Sequence, residues 1–242
     1  MDIAVTNVCK SFAKKQVLSD ISFSIASGDI VCLLGPSGSG KTTIIRLLIG
    51  AIPADSGQIS FQDTKVPNRK LLQRIGFMPQ NDALYDDLTG EDNLKFFARL
   101  YGVGKKALAR RIDETLAVVD LTGDRKKPVR HYSGGMKKRL SLAAALIHEP
   151  DVLLLDEPTV GIDPILRRAI WEQFRKIGAA GKTILVSTHV MDDVTECDKA
   201  ALLYHGKLIH YDAVPSLLAQ TQGGKVEELF FAAAEQEGDE AV

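Results

Sequence analysis

Apolar positions along this chain repeat with two periods, two residues and about 3.6, and the period changes several times. Ile3-Ala4-Val5, Val17-Leu18 and Ile21-Ser22-Phe23-Ser24-Ile25 read as short strands, the last alternating like a half-buried one. After the Ser27-Gly28-Asp29 turn, Ile30-Val31-Cys32-Leu33-Leu34 is an unbroken apolar run, and Thr43 to Ile49 has helical character. Gly50 suits the position just past that helix, with Pro53 beyond it. Asp55-Ser56-Gly57 turns into a strand at Gln58 to Phe61, and Ile75 to Met78 is another that stops at Pro79-Gln80.

Between residues 82 and 149 the pattern is helical. Leu88-Thr89-Gly90-Glu91-Asp92 opens a helix carrying Leu94, Phe97 and Leu100. Leu108, Ile112, Leu116 and Val119 form a second face, and Leu140, Ala143, Ala144 and Ile147 a third, with Pro150 after it. Strand character returns at Val152-Leu153-Leu154-Leu155, whose lack of alternation suits a parallel strand covered on both faces. A helix around Leu166 to Ile177, a strand at Thr183 to Ser187, a helix at Met191 to Glu196 and a strand at Ala200 to Tyr204 follow. Gly206-Lys207 reads as a hairpin turn into Leu208-Ile209-His210. This alternation argues an α/β fold with a mainly parallel sheet, preceded by an antiparallel N-terminal β subdomain and interrupted by a helical insert. The expected organisation is one domain over residues 1–220, with its core at 1–81 and 150–220 and the helical subdomain at 82–149. A helix through Val226, Leu229 and Phe230 then fades into a solvated acidic tail, Glu235 to Glu240, within 221–242.

Composition narrows the function classes. Thirty basic and thirty-one acidic residues give a net charge of −1, so no basic field points to nucleic acid. Cys9, Cys32 and Cys197 lack metal-ligand spacing and read as reduced thiols of a reducing compartment. Met1-Asp2-Ile3 opens no signal peptide, and no run reaches the roughly 18 apolar residues that span a bilayer. Any membrane role is expected to come through a partner chain.

Gly35-Pro36-Ser37-Gly38-Ser39-Gly40-Lys41-Thr42, with Thr43 behind it, joins the unbroken strand to the helix. Strand, Gly-rich loop and helix form the context of a phosphate-binding loop. Its glycines let backbone N–H groups curl round an anion, and the helix start adds partial positive charge. Lys41 is placed to reach the β- and γ-phosphates of a nucleoside triphosphate, and the Thr42 hydroxyl to ligate Mg²⁺. Asp156, ending a buried strand, is placed to orient the Mg²⁺ shell. Glu157, one residue on, is placed to polarise an attacking water.

Together with Gln80, Tyr132-Ser133-Gly134-Gly135-Met136 and Ser187-Thr188-His189, these stretches make the chain resemble the nucleotide-binding subunit of an ATP-binding cassette (ABC) transporter over residues 1 to about 220. The resemblance implies a P-loop NTPase core that hydrolyses ATP with Mg²⁺. It implies two cassettes paired head to tail around two ATP molecules, with Ser133, Gly134 and Gly135 meeting the γ-phosphate held by Lys41 of the other copy. It also implies roles for Gln80 on the Mg²⁺, His189 on the γ-phosphate and the attacking water, Asp163 in a loop crossing the dimer seam, and Phe12 stacked on adenine. The implied partner is an integral membrane permease, which would hold the chain on the cytoplasmic face of the membrane. It would be met in part by an exposed apolar patch within residues 80–101. Tyr132 and Met136 depart from the most familiar Leu and Gln of the signature. With Thr159 to Pro164, Arg167, Trp171 and Val226 to Phe231, they resemble the ABC-2 type exporters. An import ATPase and a soluble ABC ATPase without a permease remain open alternatives.

Overall fold

The computed structural model describes residues 1–238. Two sheets and the helices between and around them are built from strands β1 (Ile3–Phe12), β2 (Lys15–Ile25), β3 (Ile30–Leu34), β4 (Ser56–Phe61), β5 (Thr64–Lys65), β6 (Ile75–Met78), β7 (Val152–Asp156), β8 (Thr183–Thr188), β9 (Lys199–Tyr204) and β10 (Lys207–Ala213). The helices are α1 (Lys41–Leu48), α2 (Arg69–Leu72), α3 (Gly90–Leu100), α4 (Lys105–Val118), α5 (Gly134–Leu146), α6 (Pro164–Ala179), α7 (Val214–Leu218) and α8 (Glu227–Glu237).

The first sheet is antiparallel, ordered β2-β1-β4-β5. The second is ordered β10-β9-β3-β8-β7-β6, parallel from β9 to β6, with β10 antiparallel at one edge. The unbroken apolar runs of β3, β7 and β8 have a direct cause. Alternate residues enter two different cores, so neither face is wet. Val31, Leu33, Leu154 and Leu185 join the core that holds α1 and the antiparallel sheet. Cys32, Leu34, Leu153, Leu155 and Val186 join the core that holds α3 to α6. Residue parity thus assigns each side chain of a central strand to one layer or the other.

Several local expectations change. The N-terminal stretches expected as separate short strands are two long strands, of 10 and 11 residues. Asn7 and Asp20 sit at positive φ within them, so polar residues bend the ladder without ending it. The helix expected at Met191–Glu196 is present as a 3-10 helix; the cause lies in Asp193, described below. The C-terminal helix runs through Glu237, so the acidic stretch starts inside it, and residues 239–242 lie outside the described residues. Val226, Leu229 and Phe230 bury that helix against the second core.

Register aligns the functional loops. Leu34 pairs with Thr188, Asp156 with Ser187, and Met78 with Leu155. The carboxyl ends of β3, β6, β7 and β8 therefore lie along one edge of the sheet. Open parallel sheets place ligand sites outside these ends.

Candidate functional site

The phosphate loop leaves β3 at Gly35, and that position has no room for a side chain. A Cβ there would lie 2.3 Å from the Leu203 carbonyl oxygen of β9. Gly40, at φ 109°, turns the chain into α1, and a Cβ there would strike Leu18 of β2 at 2.5 Å. The helical ladder starts with Ile44 N–H donating to the Gly40 carbonyl at 3.0 Å, so the amides of Lys41, Thr42 and Thr43 precede it. They border a cavity of about 250 Å³ lined by Val17, Ser37, Gly38, Gly40, Lys41, Thr42, Thr43, Gln80 and Glu157.

The Lys41 ammonium is buried against the loop and donates to the Gly35 and Pro36 carbonyls at 2.6 and 2.9 Å. Burial lowers its pKa, while the nearby Glu157 and Asp156 carboxylates oppose that shift. A cation held in a partly desolvated pocket of carbonyls is poised to take stronger anionic partners.

Asp156 is buried at the end of β7 and accepts a short hydrogen bond from the Ser187 hydroxyl of β8. Glu157 follows at φ 54°, in the left-handed region. Its N–H donates to the Ser187 carbonyl at 3.0 Å, which holds that turn in place. The turn points the Glu157 carboxylate to two partners that come from different loops. Gln80 Nε2 donates to Oε2 at 3.1 Å, and His189 Nδ1 lies 2.9 Å from Oε1. Gln80 uses its nitrogen here, so its amide oxygen remains for a cation. Three loops thus bring a carboxylate, an imidazole and an amide together beside the phosphate loop.

The other sequence-derived candidates lie elsewhere. Ser133 caps α5, accepting the Met136 N–H at 3.2 Å, and is exposed with Gly134. Gly135 lies nearest the carbonyl of Gly161, in the loop that precedes Asp163. Asp163 caps α6 by accepting the Leu166 N–H at 3.1 Å. None of these four residues lines the cavity. Phe12 is 45% exposed at the end of β1, with Lys10 Nζ 5.5 Å from its ring centre. Two features escaped sequence reasoning. Ser187 links both acidic residues, although the motif around His189 marked its position. Asp193 carried no signal, because its side-chain partners come from three segments of the chain: Thr159, α6 and Thr188.

An anion cradle at the carboxyl edge of a parallel sheet, faced by two carboxylates at the end of β7, one strand beyond the adjacent β8, defines a P-loop NTPase. The family model described as "ABC transporter" matches residues 18–160. The Nod factor export ATP-binding protein I of Sinorhizobium fredii is 41% identical over 94% of this chain and 67% of its own length. The linearmycin resistance ATP-binding protein LnrL of Bacillus subtilis is 37% identical over 92% of this chain and 73% of its own. The solved ATP-binding subunit of an ABC transporter superposes with a TM-score of 0.87 at 27% identity, covering 96% of this chain and 99% of that one. A dimeric cassette, MJ0796, in a post-hydrolysis state with ADP and Pi, shares the fold with a TM-score of 0.81 at 24% identity, over 87% and 98% of the two chains. The chain belongs to the ABC transporter family, as an ATP-binding, ATP-hydrolysing cassette.

Proposed function

We propose that this chain drives export through a separate membrane permease, by pairing with a second cassette around two ATP molecules. One observation carries the pairing. Lys41, Gln80 and Glu157 line one cavity, with His189 bonded to Glu157, while Ser133 and Gly134 stand exposed outside it. A helix start with exposed glycines suits a γ-phosphate, and one supplied by a second cassette would complete this site. The export direction rests on the relatives named for Nod factor export and linearmycin resistance.

In this reading the Lys41 ammonium exchanges its loop carbonyls for phosphate oxygens, and the loop amides neutralise further charge. Glu157 accepts the proton of the attacking water, and His189 orients that water and the γ-phosphate. Ser133, Gly134 and Gly135 of the second copy complete the site, and Asp163 lies in the loop that meets it at the seam. Phe12 stacks on the adenine with its exposed face. The donors present fit Mg²⁺: the Thr42 hydroxyl, the Gln80 amide oxygen and the Asp156 carboxylate are hard oxygens, and such a site leaves room for phosphate and water ligands. Bound Mg²⁺ would screen the charge on the β- and γ-phosphates. Hydrolysis removes the bridging contacts and lets the pair open.

The permease would be met by the aromatic surface that follows Gln80. Tyr85, Leu88, Phe96 and Leu100 are exposed there, with Tyr85 and Phe96 edge-to-face at 4.8 Å. Among the described residues no helix is long and apolar enough to cross a membrane. In this reading the permease holds the chain on the cytoplasmic face. Near-neutral charge argues against a nucleic-acid partner. Glu157→Gln tests the pairing: it is expected to bind ATP, to hydrolyse it at least about 100-fold more slowly, and to sediment as a dimer only with ATP and Mg²⁺. A monomer under those conditions would sink the sandwich model.

A further inference from the structure

We infer that Asp193 is a positioning residue for hydrolysis: its buried carboxylate ties the loop after Glu157 and the segment that carries His189 to one helix. The inference rests on the catalytic roles proposed for Glu157 and His189.

Asp193 is fully buried, and its two oxygens divide their partners by origin. Oδ1 takes only N–H donors from α6: Arg167 Nε at 3.0 Å, Arg167 Nη2 at 2.7 Å and Trp171 Nε1 at 2.9 Å. Oδ2 takes only hydroxyls from the two strand ends: Thr159 Oγ1 at 2.9 Å and Thr188 Oγ1 at 2.9 Å. Thr159 stands two residues after Glu157, and Thr188 directly before His189. The segment is closed further by Val190 N–H on the Thr188 hydroxyl at 3.0 Å and Asp193 N–H on the Val190 carbonyl at 3.1 Å. Reaching these donors is what turns residues 191–196 into a tight 3-10 winding.

A buried carboxylate is costly unless fully partnered, and this one meets a guanidinium and three neutral donors. Arg167 and Trp171, set four apart on α6, face the same side and act as one platform. That platform holds the backbone at Thr188 and Thr159 in fixed register. His189 Nδ1 can then meet Glu157 Oε1 at 2.9 Å, although the imidazole itself is on the surface and has little packing of its own. The effect on chemistry is orientation, which small displacements erode strongly.

The test is a double-mutant cycle in the full chain. Thr188→Val keeps the side-chain shape and deletes one of the five bonds to Asp193 together with the Val190 N–H bond to the same hydroxyl; Asp193→Asn removes the charge that pairs with Arg167. Both are expected to lower kcat for ATP at least 10-fold, with KM and fluorescent-nucleotide affinity within twofold of wild type. In a His189→Ala background Thr188→Val is expected to cost less than twofold, while Asp193→Asn keeps only the smaller loss that acts through Thr159 and the Glu157 loop. Without nucleotide, the His189 ring resonances in ¹H–¹⁵N spectra are expected to shift in Thr188→Val. Equal losses in both backgrounds, or unchanged turnover and ring resonances in Thr188→Val, would overturn the positioning role while leaving His189 and Glu157 in theirs. Wild-type turnover of His189→Ala alone would overturn the parent assignment and this one with it. If Asp193→Asn proves unstable, Thr188→Val and Thr159→Val carry the cycle.

Discussion

The phosphate loop and the Ser133 turn are both glycine-bearing helix starts, yet the chain treats them oppositely. At the phosphate loop, Gly35 and Gly40 are enclosed by Leu203 and Leu18, and Lys41 is drawn in under the loop. At the Ser133 turn, nothing lies within 4 Å of a Cβ built on Gly134, and the serine bonds only its own helix among the described contacts. The first structure is organised by its own chain. The second is an exposed turn that, among the described contacts, bonds only its own helix. Enclosure costs conformational freedom and returns a rigid anion site; exposure leaves the turn free to meet a partner. Under the proposed pairing, ATP hydrolysis divides into a half that folding completes and a half that assembly completes.

That contrast can be broken at several points. Lys41→Ala should abolish hydrolysis, by about 1,000-fold or more, since it removes the main neutralising charge of the enclosed half; phosphate release under saturating ATP measures it, and retained turnover would remove the loop from the site. Ser133→Arg should bind ATP as wild type does, because it lies in the exposed half, yet lose about 100-fold in turnover. Mixing Ser133→Arg chains with Glu157→Gln chains should restore hydrolysis at one site per mixed pair, the one built from Glu157 of the first chain and Ser133 of the second, and phosphate release from the mixture would measure it.

The two halves are also joined within the chain, and that joint is expected to respond to acid. His148, after α5, stacks on Tyr101 at 3.8 Å and bonds the Ile75 carbonyl of β6 through Nε2 at 3.2 Å. Burial pushes its pKa from 6.5 down to about 4. The unfolded chain thus binds the proton more readily, so this contribution to stability is present above pH 6.5 and is lost as pH falls towards 4. The slope is at most about 1.4 kcal/mol per pH unit, less for the residue's partial exposure. Urea melts of His148→Gln should show a flatter decline over that window. The smallest effect is expected for Phe12→Ala, about 1 kcal/mol or fivefold in ATP affinity, by equilibrium titration. An unchanged affinity would make Phe12 a surface residue of β1 only.

Legibility in the sequence followed the distance over which each feature is built. The phosphate loop, Asp156 and Glu157 are local: strand, turn and charged residue lie within one short stretch, so type and spacing announced them. Gln80 and His189 were legible as positions, through the motifs around them, but their joint hold on Glu157 depends on strand order β3-β8-β7-β6. The long N-terminal hairpin was read as fragments because Asn7 and Asp20 interrupt the pattern without interrupting the pairing. The helix at Met191–Glu196 was legible as helical but not as a 3-10 winding, because periodicity says nothing about the buried donors that Asp193 must reach.

The sequence by itself determined the chemistry of the cradle and the α/β alternation, because backbone sterics and hydrophobic period act between near neighbours. Only the tertiary structure decided that Ser133 and Gly134 face outward and that one aspartate gathers Thr159, Arg167, Trp171 and Thr188. Those outcomes depend on register between strands that are distant in the chain and on which surfaces remain after the core has closed. No local pattern encodes either one.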